Sequence, residues 1–275
     1  RDIMETITEM KYNKDALVVQ ANELIRSKQD DLTLLEAKLV RLAIAQIIET
    51  DIDMRTYSCN VTELARHLGI TQGNVYRDVE MLARGIMKKS IYVVDKKKPQ
   101  KRNGKPNYEL FPWIDYFSYN DGTITIRLSD KLKPLLIGLS EHFTKYGYGN
   151  IISLPSTNSI RLLELLTSYE SIVNPYDSRN HQSPFPHIEK ADNEIIFSVE
   201  YLKEYFNCID KYENNNMFLT RVIAASVKAI NEKSTTHKVA YRTAKEGKRI
   251  GYVLFKINAW DDKEFLEFIS NNNTK

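Results

Sequence analysis

Two cysteines in 275 residues, Cys59 and Cys208, are too few and too far apart for a disulfide framework. Both read as small core residues of a cytoplasmic protein. Long apolar runs are also missing: none approaches the roughly 20 residues of a membrane span. Arg1–Lys14 is polar and lacks the apolar core of a signal peptide, and the missing initiator Met suggests a trimmed N-terminus. No GxxxxGK[ST] phosphate loop occurs, which speaks against an ATP-driven motor. The five histidines (His67, His142, His181, His187, His237) form no His-x-His pair, as a metal-dependent tyrosine nickase would need. His181 and His187 share a loop without Cys partners. No Ser/His/Asp or Cys/His constellation emerges, so the expectation is a non-enzyme with no catalytic residue, metal or cofactor.

Excess charge of one sign is scarce too, at +3 overall. Its distribution is more telling. Lys88–Lys105 carries eight basic residues against one acidic, and His237–Lys256 carries six Lys or Arg against one acidic. The two stretches occupy equivalent places in a phrase that occurs twice, which favours a phosphate-facing role over two unrelated solvated faces.

The first copy runs from Val61 to Lys98 and the second from Phe197 to Ile257. Each reads as a short helix, a turn, a longer amphipathic helix and basic β-type sequence: a helix-turn-helix with a β wing. The fold expected is α+β, two tandem winged-helix domains of related fold, with residues 1–145 and 146–275 as the domains. The junction is placed in Phe143–Asn150 (FTKYGYGN), which lacks helical periodicity.

Local signals fill in the rest. Thr33-Leu34-Leu35-Glu36 is a capping box opening an apolar helix to about Thr50. Met54–Asn60 is a strand candidate, and Gly69 suits the turn between two helices. Ile91–Asp95 and Tyr108–Leu110 predict a hairpin with the tip Lys96–Pro106, the expected first wing. A second hairpin turns at Asn120-Asp121-Gly122, and Ser129–Leu139 predicts a closing helix. Ile151–Leu154 reads as a strand, Ser156 to about Ile172 as a helix, Asn174–Asn193 as a long loop and Asp262–Ile269 as a tail helix.

In the second module, winding Asn216–Asn231 at about 100° per residue puts Phe218, Leu219, Val222, Ile223, Ala225, Ser226, Ala229 and Ile230 inside. Met217, Thr220, Arg221, Ala224, Lys228 and Asn231 fall outside. That outer face is small, polar and basic, as a helix entering a major groove requires, though any surface helix has a polar side. Arg221 suits bidentate contact with guanine. The run Asn214, Asn215 and Asn216 is placed to reach bases or phosphates, Lys211 and Tyr212 to grip the backbone, and Lys245, Lys248 and Arg249 to form the wing tip.

The first module is more ambiguous. Thr71, Gln72, Asn74 and Arg77 line the outer start of its second helix, with Lys97, Lys98, Lys101 and Arg102 on the expected wing. Asp78 and Glu80 oppose deep groove insertion. DNA contact and a role in dimerisation or packing both stay open.

Several dispersed segments match a known family in the right order: VVQANELI (Val18–Ile25), LTLLEAKLVRLAIAQI (Leu32–Ile47), SLPSTNSIRLLELLTSYE (Ser153–Glu170), YENNNMFLTRVIAASVKAINE (Tyr212–Glu232) and KRIGYVLFKI (Lys248–Ile257). From about Lys14 to Ile269 the chain resembles the iteron-binding plasmid replication initiators, the Rep_3 (RepB/RepE-like) superfamily. The resemblance implies two winged-helix domains. The second is the main reader of directly repeated double-stranded origin DNA; the first adds contacts and dimerises. It also implies initiation by monomers, autorepression by dimers, and recruitment of the host initiator and replicative helicase without nuclease or ATPase activity. On this chain the implied reading helix is Asn216–Asn231. A dedicated transcription repressor and an origin nickase are the rival readings.

Overall fold

The computed structural model describes residues 7–70, 75–94, 107–170, 184–185, 187–191 and 193–258. Backbone contacts divide the chain into two units, Arg1–Ile152 and Ser153–Lys275. The expected tail helix lies outside the described residues. No described helix is long and apolar enough to cross a membrane.

Unit 1 begins with β1 (Ile7–Glu9), β2 (Leu17–Ala21), α1 (Asn22–Arg26), β3 (Lys28–Gln29), α2 (Leu34–Ile44) and β4 (Thr56–Asn60). Then come α3 (Val61–Leu68), α4 (Val75–Met87), β5 (Ser90–Val94), β6 (Tyr108–Pro112), β7 (Ile114–Asn120) and β8 (Thr123–Leu128). A 3-10 turn (Asp130–Leu132) leads into α5 (Lys133–Leu136), shorter than the closing helix expected, and β9 (Phe143–Gly147) and α6 (Tyr148–Ser153) follow.

The capping box at α2 is formed. The Thr33 amide donates to the Glu36 carboxylate at 2.6 Å, and the Glu36 amide donates to the Thr33 hydroxyl at 3.3 Å. Leu39, Val40, Leu42, Ala43 and Ile44 are buried along it. The helix ends at Ile44 rather than near Thr50, because the Asp51 carboxylate captures the Ile48 amide at 2.9 Å in a local turn. Ile48 is left exposed there, so its apolar character misleads the periodicity.

Glu36 is itself buried and also pairs with the Lys89 ammonium. A Cβ at Gly85 would collide with its carboxylate, so any larger residue at position 85 would push Glu36 out of its present pairings.

The helix-turn-helix of unit 1 follows its sequence signals. The Asn60 side chain accepts from the Thr62 and Glu63 amides at 2.9 and 3.2 Å, and Gly69 ends α3 at φ +76°. Leu64, Ala65, Leu68, Val79, Leu82 and Ile86 are buried between the helices and the sheet.

Both expected hairpins form, β5–β6 and β7–β8, but only one of them returns to β4. One sheet has the order β1-β4-β8-β7, another β3-β5-β6, and β2 pairs with β9. The hairpin returning to the strand before the helix-turn-helix is therefore β7–β8, with β4 antiparallel to β8. Its two-residue loop, Asp121-Gly122, has φ of +44° and +77°, as a type I′ turn requires. The β5–β6 hairpin, expected as the wing, is an insertion paired with β3. Phe143–Gly147, read as a linker, is a strand whose Tyr146 is buried and hydrogen-bonded to Gln20. The apolar residues around Ile151 belong to α6, not to a strand.

Unit 2 contains α7 (Thr157–Glu170), β10 (Ile195–Ser198), α8 (Val199–Tyr205), α9 (Asn215–Phe218), a π-helical turn (Leu219–Ala224), α10 (Ala225–Lys233), β11 (Lys238–Glu246) and β12 (Arg249–Asn258). Its antiparallel sheet has the order β10-β12-β11. Successive side chains of a strand point to opposite faces, and Phe255 and Phe197 pack on the helical side, with Tyr201 and Tyr169 against Phe197. Cys59 and Cys208 are both buried, and neither is in a disulfide. Each unit thus contains strand, helix, turn, helix, and a hairpin returning to the first strand. The fold is α+β, with two winged helices.

Candidate nucleic-acid interface

Unit 2 carries the cleaner candidate surface, and three consecutive asparagines organise its start. Asn214 caps α9, its side chain accepting from the Asn216 amide at 2.8 Å. Asn215 turns toward the hairpin and donates to the Ile250 carbonyl at 2.8 Å. Asn216 stays exposed. Tyr212, half-buried, lies with its ring 6.1 Å from Phe218 while its carbonyl accepts from Lys203 at 2.8 Å, and Lys211 is exposed beside it.

Along the continuous helical stretch, Met217, Thr220, Arg221 and Lys228 are exposed, as periodicity predicts. The π turn changes the rest. It spreads a turn over more residues than an α turn, so later positions lag a strict 100° progression. Ala225, expected inside, is exposed, whereas Val227 is buried. Lys228 is 3.8 Å from Glu232 with both groups exposed, a pairing of little strength that a phosphate can displace. Asn231, expected to face outward, instead donates to the Val239 carbonyl and accepts from its amide, both at 2.8 Å.

The wing tip is a two-residue loop, Gly247-Lys248, with Gly247 at φ +61° as a type II′ turn requires. Lys245, Lys248 and Arg249 are all exposed on it. A bulge at Gly251 interrupts the ladder below the tip, where an added Cβ would lie 2.7 Å from Glu246 Cβ.

The far face of this sheet is covered by the end of the long loop. Ile188 is buried against Ile196, Tyr252 and Leu254, with Phe185 against the cluster. Arg242 of β11 makes a two-pronged bond to Glu194, at 2.6 Å on each side, and reaches the Glu189 carbonyl at 3.0 Å. Periodicity carried no signal for these braces.

Comparison with protein families identifies both units. Residues 17–167 match the initiator replication protein WH1 model, and residues 198–257 match the initiator Rep protein WH2 model. The chain belongs to the initiator replication protein family. Comparison with curated proteins gave no match. Among solved structures it is similar to the crystal structure of Pi initiator protein in complex with iteron DNA. The identity is 20% and the TM-score 0.66, over 91% of this chain and 100% of that one, which establishes a shared fold.

In this initiator, unit 1 presents a different surface. Arg77 is exposed but lies 3.7 Å from Asp78, and Arg84 pairs with Glu80 at 2.8 Å, so acids offset the cations of α4. Tyr76 and Met81 are exposed on the same helix, and Tyr76 meets Tyr119 of β7 edge-on at 5.6 Å. The β7–β8 hairpin, the true counterpart of the unit 2 wing, carries Asp121 at its tip. Thr71, Gln72, Asn74, Lys97, Lys98, Lys101 and Arg102 lie outside the described residues.

Proposed function

We propose that this initiator is a plasmid replication protein that binds directly repeated origin sites in double-stranded DNA, with unit 2 as the principal sequence reader. The observation that carries this reading is the exposed Thr220, Arg221 and Lys228 on a helix tied to a hairpin tipped by Lys245, Lys248 and Arg249. The likeness to an initiator crystallised with iteron DNA supports it.

Hairpin cations neutralise phosphates and make affinity salt-dependent, while Arg221 supplies base choice in the major groove. Tandem occupancy of repeats strains a neighbouring AT-rich segment, and opening follows. Unit 1 contributes auxiliary DNA contact through Thr71, Gln72, Asn74, Arg77, Lys97, Lys98, Lys101 and Arg102, and dimerises the chain for autorepression. Unit 2 forms the reading domain, in which Lys211, Tyr212, Asn214 and Asn216 flank the groove. Host initiator and replicative helicase are the recruited partners, and the chain acts in the cytoplasm without cutting DNA.

Supplying the gene in trans to a plasmid carrying only the cognate origin tests initiation. Replication is expected, and its absence would favour a dedicated repressor. Incubating supercoiled origin DNA with divalent metal should leave it uncut; a covalent tyrosine adduct would refute the non-enzymatic reading.

A further inference from the structure

We propose that Asn215 is a positioning residue for DNA recognition, acting through the wing rather than on a base. The inference rests on the reading of unit 2 as the DNA reader.

Its side chain leaves the groove-facing surface and donates to the Ile250 carbonyl at 2.8 Å. Ile250 is next to Arg249 and pairs with Lys245, so the bond lands at the base of the cationic tip. This hold adds to one inside the hairpin, where the Tyr252 hydroxyl donates to the Glu246 carboxylate at 3.1 Å. The register shifts between Ala244 and Lys245, leaving Gly251 without a partner, and a bulge bends the strand and disrupts its ladder. Beyond that break only the Lys245–Ile250 and Glu246–Arg249 pairs remain.

The root of the hairpin is held separately. Asn231 grips both backbone groups of Val239, copying a strand pair below the bulge. Asn231 therefore secures the fold, whereas Asn215 sets where the tip cations stand relative to Arg221. Of the three asparagines, the one turned away from DNA governs the wing's aim.

The test is a double-mutant cycle in the full chain, using a duplex of direct repeats and a scrambled duplex across a salt series. Asn215→Ala is expected to weaken repeat binding by about fivefold, the size of one lost hydrogen bond, and to flatten the salt slope. In a Lys248→Ala/Arg249→Ala background the same change should cost less than about twofold, since a positioning residue has nothing left to position. Asn215→Ser, which keeps a helix-start residue, should behave alike. Equal losses in both backgrounds would make Asn215 a direct contact and overturn the proposal, as would no loss in either. A wild-type chain that fails to discriminate the repeats would instead overturn the reading of unit 2, and this proposal with it.

Discussion

The two winged helices share an order of elements and a pattern of strand pairing, and they differ in what they expose. In unit 2 the second helix of the motif shows Thr220, Arg221 and Lys228 beside a cationic hairpin. In unit 1 the equivalent helix pairs its arginines with Asp78 and Glu80 and exposes Tyr76 and Met81, while the equivalent hairpin ends in Asp121. Duplicated architecture carries no guarantee of duplicated function: the site lies in the side chains that the fold presents.

The largest way to probe this contrast is from inside. Unit 1 is held by a buried carboxylate, and Lys89→Met would leave Glu36 without its cation. Urea unfolding should show a loss of roughly 3 kcal/mol, and an unchanged midpoint would show that the pair contributes nothing.

Next comes the surface difference itself. Arg221→Ala should weaken repeat binding by roughly 1–3 kcal/mol with little change on scrambled DNA, whereas Arg84→Ala, already paired with Glu80, should change neither. Titrations of both variants on both duplexes decide it; matching losses for the two arginines would erase the contrast.

The hairpins give a smaller, separable effect. Replacing Lys248 and Arg249 by Ala should lower the slope of log affinity against log salt by about 2. Asp121→Asn at the unit 1 hairpin should leave that slope unchanged, and a marked shift would place this tip against DNA as well.

The smallest expected effect is on acid stability. Burial first, and the Lys14 charge second, hold the His67 imidazole below its usual 6.5. The unfolded chain then binds more protons, so stability is full above pH 6.5 and falls as pH drops from there toward the folded value. His67→Gln should flatten that part of the profile of thermal midpoint against pH.

Much of this was legible in the chain wherever a feature is local. Thr33 and Glu36 form the predicted box, Gly69 takes the left-handed turn, and the hairpin around Gly247 closes where glycine and flanking β-type residues place it. Non-local pairing was not legible. Nothing between Ile91 and Leu128 reveals which of two adjacent hairpins returns to β4, and basic charge points to the one that does not. Hydrophobic spacing assumes constant rotation, so it carries no sign of the π turn and puts Ala225 on the wrong face. Three identical asparagines sit in three different settings, a helix cap, a tie to the hairpin and open exposure, that no periodicity separates.

The central claim, that unit 2 chooses the sequence, is tested most directly by methylation footprinting of guanine N7 on a direct-repeat duplex with wild type, Arg221→Ala and Arg84→Ala. Arg221→Ala alone should lose protection of a guanine, at the same position in each repeat. Unchanged protection in Arg221→Ala, or the same loss in Arg84→Ala, would contradict it.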